Sequence, residues 1–78
     1  MKKQGVVIDY DGYNGIIETS TKEKYFLLRE EIISDEELKV LDRVMFVPES
    51  KQYDDEEYHI ARFVRKLSYN PNNKDLNK

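Results

Sequence analysis

At 78 residues the chain is one small domain, able to bury only about 60% of its unfolded surface and with little room for a deep catalytic pocket. The absence of cysteine excludes disulfide staples, thiolate zinc sites and cysteine nucleophiles. A net charge of −3, from 13 Lys/Arg against 16 Asp/Glu, is the wrong sign for strong non-specific attraction to phosphate backbones.

Taken in chain order, residues 2–10 predict a first strand, with Val6, Ile8 and Tyr10 on one face and Val7 on the other. Asp11-Gly12-Tyr13-Asn14-Gly15 predicts a tight reversal, because Gly12, Asn14 and Gly15 tolerate positive φ. A second strand follows over 16–19, a polar hairpin loop over 20–24 and a third strand over 25–28. Ser34-Asp35-Glu36-Glu37 has the form of a capping box, and predicts a helix of one or two turns with Leu38 and Leu41 facing inward. Val44-Met45-Phe46-Val47 predicts a fourth strand stopped by Pro48. Residues 49–57 read as a charged loop whose acidic run, Asp54 to Glu57, is a solvated hairpin tip in preference to a metal site. Residues 58–67 predict the fifth strand, and the Asn- and Lys-rich 68–78 a disordered tail containing Tyr69.

No apolar run approaches the roughly 20 residues of a membrane-spanning helix. No apolar segment follows Met1-Lys2-Lys3 to make a secretion signal, so a cytoplasmic chain without membrane contact is expected. Short strands of this number, with one helical turn between the third and fourth, are the layout of an all-β, five-stranded Greek-key barrel of OB type over 1–67. Phe46 and Phe63 are expected in its core, and Tyr25 and Tyr58 at its ends with the hydroxyl at the surface.

The motifs resemble those of the cold-shock domain family. The family opens with Gly-x-Val, here Gly5-Val6-Val7, followed by an aromatic and a turn, here Tyr10-Asp11. Its first nucleic-acid-binding motif, roughly Gly-Phe-Gly-Phe-Ile, is matched by Tyr13-Asn14-Gly15-Ile16-Ile17. Its second, roughly Val-Phe-Val-His-Phe, is matched by Tyr25-Phe26-Leu27-Leu28-Arg29. The stretch from Leu38 to Phe46 resembles the family's Leu-x-x-Gly-x-x-Val-x-Phe, and Ala61-Arg62-Phe63-Val64 its closing Ala-x-x-Val. The likeness spans Gly5 to Leu67.

The resemblance implies single-stranded RNA or DNA binding by stacking of bases on exposed aromatics. Carried over position by position, the two aromatics of the first motif fall on Asn14 and Ile16, and the His and Phe of the second on Leu28 and Arg29. The exposed Trp of the first strand falls on Asp9, and the lysines beside it on Val6 and Ile8. Only Phe26 keeps its aromatic, with Tyr10 and Tyr13 as local substitutes. The expected nucleic-acid site is therefore Tyr10, Tyr13, Ile16, Lys24, Phe26, Leu28 and Arg29, with weak, non-sequence-specific affinity. Arg29, Lys24, Lys22, Arg62, Arg65 and Lys66 supply its positive rim.

Replacing flat aromatics by aliphatics also points to a second function. Val6, Ile8, Ile16 and Leu28 on one face would form an apolar patch for a protein partner or a homodimer. Catalysis is not expected. His59 has no Ser or Cys partner at a recognisable spacing, and Asp9-x-Asp11-Gly12-x-Asn14 lacks the glutamate a calcium loop needs, the position being Ser20. No cofactor motif is present.

Overall fold

The computed structural model describes residues 1–67; the expected tail over 68–78, with Tyr69, lies outside the described residues. Five strands form a closed barrel: β1 (Lys3–Tyr10), β2 (Asn14–Glu18), β3 (Lys24–Leu28), β4 (Arg43–Tyr53) and β5 (Glu56–Lys66). The first three pair as an antiparallel meander, β5 lies parallel to β3, and β4 returns between β5 and β1. Spatial order β1-β2-β3-β5-β4 is the Greek-key arrangement expected from the strand count.

Alternation along the strands sends Val7, Ile17, Leu27, Val44, Phe46 and Val64 fully inside. Each such side chain contributes about 1.5–3 kcal/mol by leaving water. Tyr25 packs its ring 5.0 Å from that of Phe46 and is buried in the core, as expected of a barrel-end tyrosine.

The first reversal uses Asp11 as its organiser. Its Oδ1 accepts hydrogen bonds from the amides of Tyr13 and Asn14, both at 2.8 Å, and Gly12 takes φ 98°. Those two amides, Asn14 first, hold the Asp11 carboxyl below the usual carboxylate range. Of the three residues expected to allow positive φ, only Gly12 adopts it. Gly15 serves otherwise: it is buried in β2 directly beneath the Asp9 carbonyl, and a Cβ there would strike that oxygen.

The connection from β3 to β4 departs from expectation. Its helical turn is a 3-10 turn at Arg29–Glu31, and residues 34–41 form no helix. Tertiary partners claim the groups that a helix would use. Ser34 Oγ accepts from the Lys66 amide at 3.0 Å, and the Ile33 and Leu41 amides donate to the carbonyls of Val64 and Val7. A segment this short cannot offset the cost of nucleating a helix against such competition. Leu38 still enters the core, whereas Leu41, at φ 82°, is 76% exposed.

Three further expectations differ from the structure. Pro48 does not end β4, which runs on to Tyr53. β1 leaves β4 at Phe46, so Pro48 has a partner strand on one side only, and its missing N–H breaks no second ladder. The charged loop expected over 49–57 is consequently a long hairpin with β5, and the acidic run does lie at its tip. Phe63 is not core: it is 55% exposed. Between the pairs Val47–Arg62 and Met45–Arg65 the register slips, so that β5 carries one residue more than β4. Phe63 absorbs it at φ 53° and turns outward, which returns Val64 to the interior.

Candidate nucleic-acid interface

Cross-strand register builds the outer face of β1, β2, β3 and β5. Asp9 pairs with Ile16, Ile16 with Phe26, and Phe26 with Ile60, placing the four in one row. Leu28 lies opposite Asn14 on one side of that row, and Lys24 lies opposite Glu18 on the other. Phe26 is 43% exposed, and the Tyr58 ring tilts against it at 6.1 Å. Tyr58 is held in turn by its hydroxyl, which donates to Glu56 Oε1 at 3.0 Å.

A second aromatic station stands at the β1–β2 turn. Tyr13 is 63% exposed and carries the Arg29 guanidinium 5.4 Å from its ring centroid. The Arg29 amide fixes the pair by donating to the Tyr13 carbonyl at 2.9 Å. Tyr10 lines the adjoining concavity of about 550 Å3 together with Tyr13, Arg29 and Ile32. It is half-buried against the core, and burial raises its pKa, keeping the phenol neutral.

The structure distributes the expected residues over separate surfaces. Ile16, Lys24 and Phe26 meet Tyr58 in one shallow depression, while Tyr10, Tyr13 and Arg29 share another. Val6 and Ile8 line a third, beside Gln4, Glu18 and Arg43. A bulge between Val7 and Asp9 adds Ile8 to β1 as an extra residue. The bulge sets Asp9 opposite Ile16, while Val6 faces Glu18 and Leu28 faces Asn14, so polar neighbours interrupt the aliphatic set.

Half of the positive rim is spent on local carboxylates. Arg62 Nε lies 2.8 Å from Glu31 and its Nη1 bonds Glu49. Those carboxylates, Glu49 first, raise its pKa further. Lys66 Nζ sits 3.5 Å from Asp42 and 4.0 Å from Glu36, and Lys24 Nζ 3.9 Å from Glu18. Arg29, Lys22 and Arg65 join no ion pair among the described residues, and Arg65 lies in a different groove with Lys2.

Tyr58 is not the barrel-end core residue expected: it is half-buried on this outer face, against Phe26. Its place beside Phe26 depends on the parallel meeting of β3 and β5, a contact between distant parts of the chain that no local pattern encodes. Among the described residues no cluster of His, Asp or Glu could hold a metal ion, and no helix is long and apolar enough to cross a membrane.

The same architecture occurs in a solved Drosophila structure described as Unr CSD456, with a TM-score of 0.69 over 90% of this chain. The barrel is a cold-shock-like OB fold. Sequence identity is 18%, and the match covers 28% of the Unr chain. No family model and no curated protein matches the sequence. In the cold-shock-like barrel the stretches Tyr13–Ile17 and Tyr25–Arg29 lie mainly on β2 and β3, and together they furnish most of the face just described.

Proposed function

We propose that the cold-shock-like barrel binds single-stranded RNA or DNA weakly and without sequence preference, as a binding module with no catalytic step. The observation that carries the reading is the presence of two exposed aromatic stations, Phe26 with Tyr58 where β3 meets β5 and Tyr13 with Arg29 at the β1–β2 turn. Each offers a base a flat surface, worth roughly 1–3 kcal/mol per base by truncation. Ile16 and Leu28 flank the path as apolar floor, Tyr10 lines its end, and Lys24 and Arg29 are the cations that meet phosphate. Asp9, Glu18 and Glu57 oppose them, which accounts for low affinity. Val6 and Ile8, in their own groove and without an aromatic, suit a protein contact better than a base.

The test is an NMR titration of labelled protein with a pyrimidine-rich single strand at two salt concentrations. Amides of Tyr13, Ile16, Phe26, Arg29 and Tyr58 shift, and Phe26→Ala weakens binding roughly tenfold. With two phosphate contacts on a single strand, log Kobs falls with log salt at a slope of about −1.4. Absence of shifts at the lower salt, or shifts that ignore Phe26→Ala, would overturn the reading.

A further inference from the structure

β4 and β5 continue well past the barrel. From Glu49 opposite Ile60 to Tyr53 opposite Glu56 they pair with each other, while the pairing of β1 with β4 has ended at Phe46 and β3 shares only the registered pair Phe26–Ile60 with β5. Residues 50–57 are all exposed. A two-stranded ribbon with no third layer is marginal in water. Its tip places Tyr53, 73% exposed, beside four consecutive carboxylates, Asp54, Asp55, Glu56 and Glu57.

The outward turn of Phe63 makes the complementary feature. With Ile33, Met45 and Val47 it lines an apolar groove of about 300 Å3, bordered by Lys2 and Arg65. Neither cation joins an ion pair among the described residues. An apolar slot between two free cations fits an aromatic side chain flanked by carboxylates, and Tyr53-Asp54-Asp55 has that form. The tip cannot serve the groove of its own molecule. Val47 lines the groove, and Tyr53 lies six residues farther along the same extended strand, about 20 Å away at the rise of a strand.

We propose that the tip of the β4–β5 ribbon of one copy docks in the Phe63 groove of a second copy, and the exchange is reciprocal. Two ribbons then lie antiparallel along that ~20 Å span, each tip in the other's groove, and the two-fold operation closes the assembly. The groove shares no residue with the proposed nucleic-acid face and does not depend on it, whereas the tip adjoins that face through Glu57 and through Glu56, which holds Tyr58.

Charge reversal tests the proposal with the full chain, using sedimentation velocity over a concentration series. Wild type shows a monomer–dimer equilibrium. A groove variant, Lys2→Glu with Arg65→Glu, raises the dissociation constant at least tenfold, as does a tip variant, Asp54→Lys with Asp55→Lys. An equimolar mixture of the two restores the dimer, because each reversed surface then meets its complement. That recovery also shows that both variants are folded. Wild type that stays monomeric throughout, either variant dimerising like wild type, or a mixture that remains monomeric would overturn the proposal. Growth beyond a dimer would overturn the reciprocal closure. So would a monomer in which groove reversal abolishes single-strand binding instead, since the groove would then serve nucleic acid.

Discussion

Individual residues in this barrel carry unequal burdens, and its glycines show why. Gly12 has open space around a would-be Cβ but sits at φ 98°, so alanine there meets only backbone strain, about 1–2 kcal/mol. Gly15 has an ordinary backbone but no room beneath the Asp9 carbonyl. Gly15→Ala must part β1 from β2, a cost of about 3 kcal/mol. Urea denaturation of the two variants is expected to rank Gly15→Ala as clearly the more damaging; equal losses would mean that the close approach of β1 and β2 at this point is not a constraint. Phe63 is the other instructive residue. Followed by Val64 and two places after Ala61, it has the sequence neighbourhood of a core residue, yet one extra residue in β5 exposes it. Bulges leave no mark in an alternating pattern, and the same holds for Ile8 in β1.

Whole elements were legible where local chemistry decides them. The two β-rich runs around Asp11-Gly12 gave β1 and β2, the apolar Tyr25–Leu28 stretch gave β3, and the order of strands implied the closed barrel. What misled was local chemistry overruled by distant partners. The Ser34–Glu37 box formed no helix because Ser34 Oγ is bound by the Lys66 amide, a contact made only once the barrel has closed. Pro48 was tolerated because β1 stops short of it. The β4–β5 hairpin reveals a further tension at its tip. Asp54 and Asp55 hold φ 50° and 66°, the pattern of a type I′ turn, which Asn-Gly satisfies with far less strain. Replacing Asp54-Asp55 by Asn-Gly is expected to stabilise the ribbon by about 1 kcal/mol. The gain should appear as greater amide protection in residues 50–59, with little change in the global unfolding midpoint. Unchanged protection would show that the turn does not limit the ribbon.

At the scale of the molecule, stability depends on pH through groups at the barrel's rim. Backbone amides lower the Asp11 pKa, and the Lys3 ammonium, 2.7 Å away, lowers that of Glu23. Depressed carboxylates stabilise the fold above their unfolded pKa values and lose that contribution as pH falls through the folded ones. Lys3 is raised, first by Glu23, and Tyr10 is raised by burial. Their contributions are complete below their unfolded values and vanish as pH climbs through the folded ones. Thermal midpoints are therefore expected to be level through neutrality and to fall below about pH 4 and above about pH 10. A midpoint that rises on acidification would contradict the assignment of Asp11 and Glu23. The barrel also has one place where it closes least firmly. β3 and β5 are its single parallel neighbours and share one registered pair, Phe26 with Ile60. Phe26 stands on one lip of that seam and Tyr58 on the other. A nucleic-acid strand stacked on both rings would act as a clasp: it holds only the shut form and so stabilises it in proportion to its own affinity. By reciprocity, loosening the seam weakens the grip by the same factor. Breathing of the barrel and holding of a ligand would then be a single equilibrium, seen from inside the wall and from outside it.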